Sequence, residues 1–375
     1  MGAVPDRPSY PVSRLDYVLP PELIAQQPLP SRSASRLLYL RVAERRFDDM
    51  RFADLPGLLP PRSLIVVNNS RVILARLYGA RQATAADVPG GQVEVLFLRY
   101  LADGECEAVV GSNARLKRGE VISLPGGWQC TLLAPKSRDG TRVRYAAADG
   151  HAPALDKLLA YLGQYGLPPL PPYIKRAADE EQALASREAD RERYQTVYAS
   201  TAGSAAAPTA GLHFDEAMLA RLTADGHRIA AVTLHVGLGT FAPIRAADLR
   251  DHELHEEAYT ADEATVAAYE QAWSAGQPVL AVGTTSLRVL HTLRTSPGTP
   301  RQAMTRAFIY PGHGTDACDL LLTNFHLPRS TLLALVYAFG GEELMRSVYH
   351  HAVEQRYRFY SYGDCMLIDR RGEPR

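Results

Sequence analysis

Short runs of β-branched and aromatic residues, separated by glycine and proline, characterise the first half of the chain. Apolar and polar positions alternate within these runs, which is typical of strands, and no helical periodicity separates them. Several short strands in succession favour a small β-barrel or sandwich over residues 72–151. The predicted strands cover residues 64–69, 93–100, 105–111, 121–124, 131–133 and 142–145.

The second half alternates between helical and strand patterns. Such alternation favours a layered or barrel-like α/β domain, to which the strand at 64–69 also belongs. We therefore expect an α/β (or α+β) fold in which a small β-barrel domain, residues 72–151, is inserted into a larger barrel-like α/β domain. The larger domain comprises residues 1–71 and 152–375, with 1–12 as a tail. Its predicted elements are helices at 215–224, 261–275 and 286–294 and strands at 228–236, 278–282 and 357–367.

Composition and charge narrow the class of protein. Hydrophobic residues make up 46% and charged residues 22% of the 375 residues, which is ordinary for a globular protein. Lys+Arg and Asp+Glu each total 41, so any surface for nucleic acid must be a local patch. No apolar run reaches the ~18 residues of a membrane span, and the first residues lack a secretory pattern. The four cysteines form no Cys-x-x-Cys pair, which favours free thiols in a reducing compartment.

One histidine-rich stretch is similar to a zinc motif without matching it. His252 and His255 are accompanied by Glu253 and Glu256. The order differs from the His-Glu-x-x-His signature, and no third ligand is implied. The sequence therefore predicts no metal site.

The turn between a strand and a helix at 279–288, VLAVGTTSLR, is the first candidate binding site. A buried strand ends at Gly283, and the hydroxyl residues Thr284 and Thr285 precede a helix. The free N–H groups of a helix start favour an anionic or polar ligand. A simple hydroxyl cap of the helix is the alternative interpretation.

Three histidines also occur at the predicted ends of elements. His213 lies in APTAGLHF (207–214), His235 in TLHVGLGTF (233–241) and His326 in LTNFHLPRST (322–331). Neutral imidazole can act as a base or as a hydrogen-bond donor, and nearby glycines let a ligand approach the backbone. A buried histidine with satisfied hydrogen bonds is the alternative for each one.

Basic and aromatic positions suggest contacts with nucleic acid. In YRFYSYGDCML (357–367), strand alternation puts Arg358, Tyr360, Tyr362 and Asp364 on one face, where aromatic rings could stack on bases. The stretch RLKRG (115–119) makes the β segment locally basic, as phosphate contacts require. A core strand and a solvated charged face are the respective alternatives.

Many of these motifs occur together, in one order, in a known family. The chain resembles the S-adenosylmethionine:tRNA ribosyltransferase-isomerases of queuosine biosynthesis from residue 15 to residue 368. A series of ordered motifs is far more specific than any single one. The motifs that carry the resemblance are NNSRVILARLYG, LPPYIKR, RYQTVYA, APTAGLHF, TLHVGLGTF, AVGTTSLR, FIYPG and TNFHLPRSTL.

The resemblance implies the reaction, the partners and the fold. The ribosyl part of S-adenosylmethionine is transferred to 7-aminomethyl-7-deazaguanine at the wobble position of tRNA and isomerised. Epoxyqueuosine-tRNA forms, and adenine and methionine leave. S-adenosylmethionine is thus a substrate, no cofactor or metal is bound, and the partner is tRNA with a queuosine-type anticodon. The resemblance also implies an inserted β-barrel domain and cytoplasmic action without a membrane. A monomer is our working hypothesis, although the sequence leaves the oligomeric state open.

This chemistry needs a base for a proton beside the sulfonium and a donor for the departing adenine. The sequence does not assign which candidate is base and which is acid. The candidate catalytic residues are His213, His235, His326 and Asp364. The candidates for binding S-adenosylmethionine are Thr209, Gly237, Gly239, Thr240, Thr284, Thr285, Arg288 and Asn324. The candidates for binding RNA are Arg71, Arg115, Lys117, Arg118, Lys175, Arg358 and Tyr362.

Three stretches depart from the family pattern, at residues 202–205, 254–258 and 313–316. They leave open a divergent paralogue that uses the same chemistry on another amine. A non-enzymatic RNA-binding protein and a methyltransferase are alternatives from other classes. Because ligands of α/β domains gather where strand ends and helix starts converge, we predict that His213, His235, Thr285 and His326 line one pocket beside Asp364.

Overall fold

The computed structural model describes residues 9–82, 91–113, 115–137, 140–176, 188–237, 244–254, 256–296, 298, 302–312 and 316–373. The chain divides into two compact units. The first comprises Met1–Arg71, Pro171–Lys175 and Arg193–Arg375, and the second comprises Val72–Leu170 and Arg176–Glu192. An insertion into a larger domain is therefore observed.

The inserted unit extends further than the predicted limit at residue 151. It includes a helix, Leu155–Tyr165, whose Tyr161 ring stacks on Trp128 with ring centroids 3.9 Å apart. The Tyr161 hydroxyl also donates to the carbonyl of Pro125 at 2.9 Å. These contacts with the β segment, which the strand pattern could not indicate, explain why the predicted boundary was too early.

The strands of the first unit form an open nine-stranded sheet, where the sequence predicted a barrel-like arrangement. The bounds are β1 Arg36–Arg41, β2 Arg46–Arg51, β3 Leu64–Asn68, β12 Arg228–Leu234, β13 Glu257–Ala261, β14 Val279–Val282, β15 Gln302–Thr305, β16 Leu320–Asn324 and β17 Cys365–Asp369. Their order in the sheet is β15-β13-β12-β3-β14-β16-β17-β1-β2. Two short strands, β4 Ser70–Val72 and β11 Thr201–Ser204, lie outside this sheet.

The central strands are buried along their whole length because helices cover the sheet. Every residue of β3, β14 and β16 is buried, which is the pattern of parallel strands covered on both faces. The helices of this unit are α1 Leu55–Leu58, α3 Glu216–Ala224, α4 Glu263–Ser274, α5 Thr284–Thr295, α6 Thr331–Gly340 and α7 Glu342–Glu354. The helix Leu155–Tyr165 of the inserted unit is α2. Asp215 caps the start of α3, since its carboxylate accepts a hydrogen bond from the Met218 N–H at 2.8 Å.

The second unit contains a closed six-stranded barrel, so the predicted β-barrel is confirmed. The strands are β5 Arg76–Arg81, β6 Gln92–Ala102, β7 Glu105–Gly111, β8 Val121–Ser123, β9 Gln129–Leu132 and β10 Thr141–Ala146. Their order around the barrel is β10-β7-β6-β5-β8-β9. Alternation explains this arrangement, since every second residue of β7 and β10 is buried.

Two local predictions were wrong. The strand predicted at 357–367 begins only at Cys365, because residues 357–364 form turns in which Tyr360 has a φ of 73°. A Cβ on Gly363 would come within 2.5 Å of the Arg358 carbonyl, so this turn requires glycine. The predicted tail at 1–12 is also too long, since Tyr10 and Val12 are buried and the Val12 N–H donates to the Ala247 carbonyl at 2.9 Å.

Candidate active site

The carboxyl ends of four parallel strands define one edge of the large sheet. Strands β12, β3, β14 and β16 lie side by side and run in the same direction. The turns that follow these four strands therefore converge at this edge. Strands β17 and β1 begin at the same edge, since Cys365 pairs with Asn324 and Leu37 pairs with Cys365.

A cavity of about 470 Å³ lies at this edge of the sheet. Its volume falls within the range of ~300–1,000 Å³ that is usual for small-molecule sites. His326 lines the cavity, as do the backbone and side chains of the turn after β14. Of the residues predicted to bind S-adenosylmethionine, those in its wall are Thr209, Thr284, Thr285 and Asn324. Aromatic and apolar residues complete the wall, among them Tyr173, Val236, Leu327, Leu332 and Tyr360.

The start of helix α5 presents backbone N–H groups to this cavity. Gly283 precedes the helix with a φ of 87°, and no side chain of the described residues caps the helix start. Thr285 does not act as the cap, because its hydroxyl accepts a hydrogen bond from the Asn68 amide at 3.1 Å. This geometry favours a ligand with an anionic or polar group over the simple hydroxyl cap.

Asn68 joins this helix start to two strands. Its amide nitrogen also donates to the Leu234 carbonyl at 3.0 Å, and its oxygen accepts from the Leu234 N–H at 3.1 Å and the Ser70 N–H at 3.0 Å. All these groups are buried. The side chain is thus fully used by the protein, and it fixes Thr285 relative to the ends of β3 and β12.

His326 is a neutral imidazole in the wall of the cavity. Its Nε2 lies 2.8 Å from the Thr323 hydroxyl, and its backbone N–H donates to the Tyr349 hydroxyl at 3.0 Å. Burial lowers the pKa of His326 to about 3, because the charged form would lose its hydration. Within the described part of the chain, Nδ1 has no hydrogen-bond partner, so this nitrogen remains for a ligand.

Asn324 is held in one orientation by acceptors. Its amide nitrogen lies 3.2 Å from the Tyr360 carbonyl, 3.4 Å from the Asp364 carbonyl and 3.1 Å from Nε2 of His213. Since the two carbonyls can only accept, the nitrogen must face them. The amide oxygen is then buried with no hydrogen-bond partner among the described residues.

His213 is buried between two protein partners and does not line the large cavity. Its Nδ1 lies 2.7 Å from the Ser35 hydroxyl, and Asn324 occupies Nε2. Burial, together with the positive charges of Arg358 and Arg32, lowers the pKa of His213 to about 3. His213 instead lines a smaller recess of about 20 Å³ on the other side of Asn324, where Ser361 contributes to both walls.

The predicted single pocket is therefore only partly correct. Thr285 and His326 line the large cavity, whereas His213, His235 and Asp364 do not. The Asp364 carboxylate accepts from the backbone N–H groups of Arg36 at 2.9 Å and Arg358 at 2.8 Å, and burial raises its pKa. Asp364 thus stabilises the turn before β17. The sequence did not indicate this role, because a strand was predicted in place of the turn.

His235 follows β12 and packs against Gly203. A Cβ on Gly203 would lie 2.6 Å from Cε1 of the imidazole, so the ring fills the space that a side chain would need. Burial lowers the pKa of His235, and its Nδ1 is buried without a partner among the described residues. The next residue, Val236, lines the cavity, whereas His235 does not.

Two further residues predicted to bind S-adenosylmethionine make hydrogen bonds within the protein instead. Arg288 forms a buried ion pair with Glu257, and its Nε donates to the Ala307 carbonyl at 2.9 Å. The other Glu257 oxygen accepts from the Gly237 N–H at 3.0 Å. Neither Arg288 nor Gly237 lines the cavity. Gly239 and Thr240 lie outside the described residues.

Comparison with known proteins decides the family. The family model described as "Queuosine biosynthesis protein" matches residues 12–368. This chain belongs to the queuosine biosynthesis protein family. The resemblance inferred from the motifs is thereby confirmed.

Relatives within the queuosine biosynthesis family match nearly end to end. The chain is 46% identical over 359 residues to the S-adenosylmethionine:tRNA ribosyltransferase-isomerase of Aromatoleum aromaticum, covering 96% of this chain and 97% of that protein. It is 45% identical over 357 residues to the protein of the same name from Xylella fastidiosa strain M12, covering 95% and 96%. A crystal structure of S-adenosylmethionine tRNA ribosyltransferase from Thermotoga maritima matches with 32% identity and a TM-score of 0.51, covering 95% of this chain and 100% of that one.

The stretches that depart from the queuosine biosynthesis family pattern have structural roles where they are described. Residues 202–205 include Gly203, which accommodates the His235 ring. Residues 254–258 include Glu257, the partner of Arg288, and Ala258, whose carbonyl accepts from the His235 N–H at 3.0 Å. Residues 313–315 and His255 lie outside the described residues. Two of the three departures thus lie next to His235.

The residues predicted to bind RNA are dispersed. Arg71 is exposed in β4, and the Lys175 N–H donates to the Gln26 side chain at 2.8 Å. Tyr362 is buried against Tyr194, with ring centroids 5.9 Å apart, so its ring is not presented to a base. Arg358 donates to the Gln27 carbonyl beside the small recess. In the barrel unit, Arg115, Lys117 and Arg118 are exposed after β7.

Sequence reasoning singled out Tyr360 of the cavity wall but missed its aromatic partner, Tyr173. The ring of Tyr173 lies 4.1 Å from that of Tyr360, and the Tyr173 hydroxyl lies 2.6 Å from the Ser361 hydroxyl. Tyr173 belongs to LPPYIKR, a stretch separated from the sheet by the inserted unit. The motif itself was the available signal, but nothing in its spacing connected it with His326.

Neither a metal cluster nor a membrane-spanning helix is found in the described ranges. No group of three or more His, Cys, Asp or Glu side chains is arranged to hold a metal ion there. No helix in those ranges is both long and apolar enough to cross a membrane. His252, considered above for zinc, packs against the Phe308 ring with centroids 5.4 Å apart.

Proposed function

We propose that this chain transfers and isomerises the ribosyl moiety of S-adenosylmethionine onto 7-aminomethyl-7-deazaguanine at the wobble position of tRNA. Epoxyqueuosine-tRNA forms, with release of adenine and methionine. The names of relatives that match over 95–96% of the chain support this reaction. The observation that carries it in the site is the 470 Å³ cavity, where a helix start and a neutral histidine lie beside two aromatic rings.

The cavity offers a complementary group for each part of S-adenosylmethionine. The methionine carboxylate binds the N–H groups at the start of α5, because that end of the helix carries partial positive charge. The adenine ring packs beside Tyr173 and Tyr360, whose rings form one aromatic wall.

His326 is the acid–base residue of this proposal. The sulfonium acidifies the adjacent 5′ carbon of the ribosyl group, and a neutral base must remove a proton from it. Since burial holds the pKa of His326 near 3, its imidazole is neutral at physiological pH. With the Nε2 proton donated to Thr323, Nδ1 accepts the proton from the ligand. His213 acts differently: it positions Asn324 and does not meet the ligand.

We further propose that the chain acts in the cytoplasm, where its tRNA substrate is available.

The amine of the tRNA base attacks as the neutral form, and the cavity is lined by uncharged groups apart from Arg329. A low-polarity wall favours a neutral amine over an ammonium group. Our working hypothesis for the oligomeric state is a monomer. Light scattering, which measures the molar mass in solution, tests it.

Mass spectrometry of the reaction products tests the function. S-adenosylmethionine is incubated with tRNA carrying the deazaguanine precursor, and with tRNA carrying guanine as control. We expect the precursor tRNA to gain the epoxycyclopentanediol mass while adenine and methionine appear. Formation of S-adenosylhomocysteine would indicate a methyltransferase. Adenine release with no gain of mass on the precursor would indicate another amine acceptor, and RNA binding without turnover would indicate a binding protein.

A further inference from the structure

The turn that carries His326 lies between two regular elements and belongs to neither. Strand β16 ends at Asn324, and helix α6 begins at Thr331. His326 is buried, and a buried backbone N–H or carbonyl group needs a hydrogen-bond partner. Because residue 326 lies outside the strand and the helix, other parts of the chain must supply the partners of its two backbone groups.

Two tyrosine hydroxyls supply these partners from opposite ends of the sequence. The hydroxyl of Tyr349, on α7, accepts a hydrogen bond from the His326 N–H at 3.0 Å. The hydroxyl of Tyr17, which precedes the first strand, donates to the His326 carbonyl. The backbone of His326 is thus held on both sides by side chains.

The two tyrosines are held in turn by one aromatic cluster. Their rings meet edge to face, with centroids 5.1 Å apart. The ring of Phe359 lies 6.3 Å from each of them, and the ring of Phe325, the neighbour of His326, lies 5.7 Å from that of Tyr349. Close packing of this kind leaves aromatic side chains few alternative rotamers, so the two hydroxyls keep their positions.

We infer that Tyr17 and Tyr349 are positioning residues of the reaction, whose hydroxyl groups hold the His326 backbone so that Nδ1 stays where it can accept the proton. The inference rests on the proposed function, in which His326 is the base. Neither tyrosine lines the cavity, so both act through His326. The Thr323 hydroxyl, 2.8 Å from Nε2, holds the ring, and the tyrosines hold the backbone that carries it. A displacement of about 1 Å at a reacting group can lower a rate by about 10²-fold.

The kinetics of adenine release test this role in Tyr17→Phe and Tyr349→Phe, each of which removes only a hydroxyl. The matched control is Tyr337→Phe, because the Tyr337 hydroxyl is buried without a hydrogen-bond partner in the described ranges and its ring lies 6.2 Å from that of Tyr349. We expect kcat to fall about 10- to 100-fold in the two test variants with KM for S-adenosylmethionine unchanged, and the control to match the wild type.

The same substitutions are then made in the His326→Ala variant. They should cause no further loss of kcat there, because the base that they position is absent. An equal loss with and without His326 would show that the hydroxyls act on the fold as a whole and would overturn the inference. Wild-type kcat in Tyr17→Phe and Tyr349→Phe would overturn it as well. Tyr17 is only partly buried, so Tyr17→Phe keeps the test available if Tyr349→Phe does not fold.

NMR spectra of protein labelled with ¹⁵N-histidine give a readout that does not depend on turnover. The ring resonances of His326 should shift in Tyr17→Phe and Tyr349→Phe and stay unchanged in Tyr337→Phe. A wild-type protein that makes no product, while its variants show these shifts, would remove the proposed function and still support the hold of the tyrosines on His326. Unchanged resonances in both test variants would overturn that hold.

Discussion

The two cavities at the carboxyl edge of the sheet contain chemically similar histidines in different roles. His326 and His213 are both buried, and burial lowers the pKa of each to about 3. Protein groups occupy both ring nitrogens of His213, namely Ser35 and Asn324. Only one ring nitrogen of His326 is occupied, by Thr323, and its ring faces a cavity of about 470 Å³.

The difference shows that burial and pKa alone do not identify a catalytic histidine. Both residues satisfy the usual criterion of a strongly perturbed pKa. What separates them is the number of ring nitrogens left for a ligand and the volume in front of them. By that standard His326 is suited to chemistry, and His213 to holding Asn324 between the large cavity and the recess.

Removal of the His326 imidazole is expected to give the largest effect. The His326→Ala variant should lose ~10²–10⁴-fold in turnover, because the proposed general base is removed. Adenine release under saturating S-adenosylmethionine and tRNA is the measurement. The matched control is His227→Gln, another buried histidine, whose Nδ1 accepts from the Ser63 N–H at 3.2 Å outside the site. If His326→Ala keeps near wild-type turnover, the contrast between the two cavities fails.

A substitution in the Arg288–Glu257 ion pair tests whether Arg288 stabilises the fold or contacts the ligand. The Arg288→Met variant should lose about 3–5 kcal/mol of unfolding free energy, because Glu257 keeps a buried charge without its guanidinium. Urea unfolding measures this loss, and Glu257→Gln in the same chain should recover part of it. The folded variant should bind S-adenosylmethionine as the wild type does. Weakened binding without loss of stability would restore Arg288 as a ligand contact.

The acid sensitivity of folding tests the electrostatics that the two histidines share. Since the folded pKa of His213 lies near 3 and the unfolded value near 6.5, the unfolded chain binds more protons between these values. Stability from neutral His213 is therefore complete above about pH 6.5 and is lost as the pH falls, by up to about 1.4 kcal/mol per pH unit. The His213→Gln variant should show a shallower loss between pH 7.5 and 5.5 in urea unfolding. An identical slope would show that His213 does not stay neutral.

The exposed cations after β7 provide the smallest expected effect. Arg115, Lys117 and Arg118 form no ion pair with the described residues, so their charges are free to meet tRNA phosphates. Replacing all three by glutamine should lower the salt slope of tRNA binding by roughly one unit for each phosphate that they neutralise, without changing S-adenosylmethionine affinity. Filter binding at several salt concentrations gives the slope. If tRNA affinity is unchanged, these side chains are a solvated face, and RNA binding is confined to the other unit.

The sequence predicted the elements better than their contacts. Uninterrupted apolar runs identified β3 and β14, and alternation identified β7 and the barrel, because these patterns follow directly from which faces are buried. The turn after β14, which the sequence singled out because Gly283 and two hydroxyl residues mark a strand-to-helix transition, lines the large cavity.

The contacts and hydrogen-bond partners of individual side chains could not be predicted from the sequence. Alternation suggested a strand at 357–367, but a tight turn at Gly363 brings Asp364 onto backbone N–H groups instead. Tyr173 lines the cavity, but in the sequence it follows most of the inserted unit, far from the first strands of the sheet. No local pattern therefore indicated it. Whether a histidine has one or two occupied nitrogens depends on residues such as Ser35 that are distant along the chain.

The most direct test of the account is a crystal structure of the protein with S-adenosylmethionine bound. We predict that the adenosyl group lies in the large cavity against Tyr173 and Tyr360, with the 5′ carbon facing Nδ1 of His326. We also predict that the methionine carboxylate lies at the N–H groups of Thr284 and Thr285. A ligand bound in the recess beside His213, or in the barrel unit, would contradict the assignment of the two cavities.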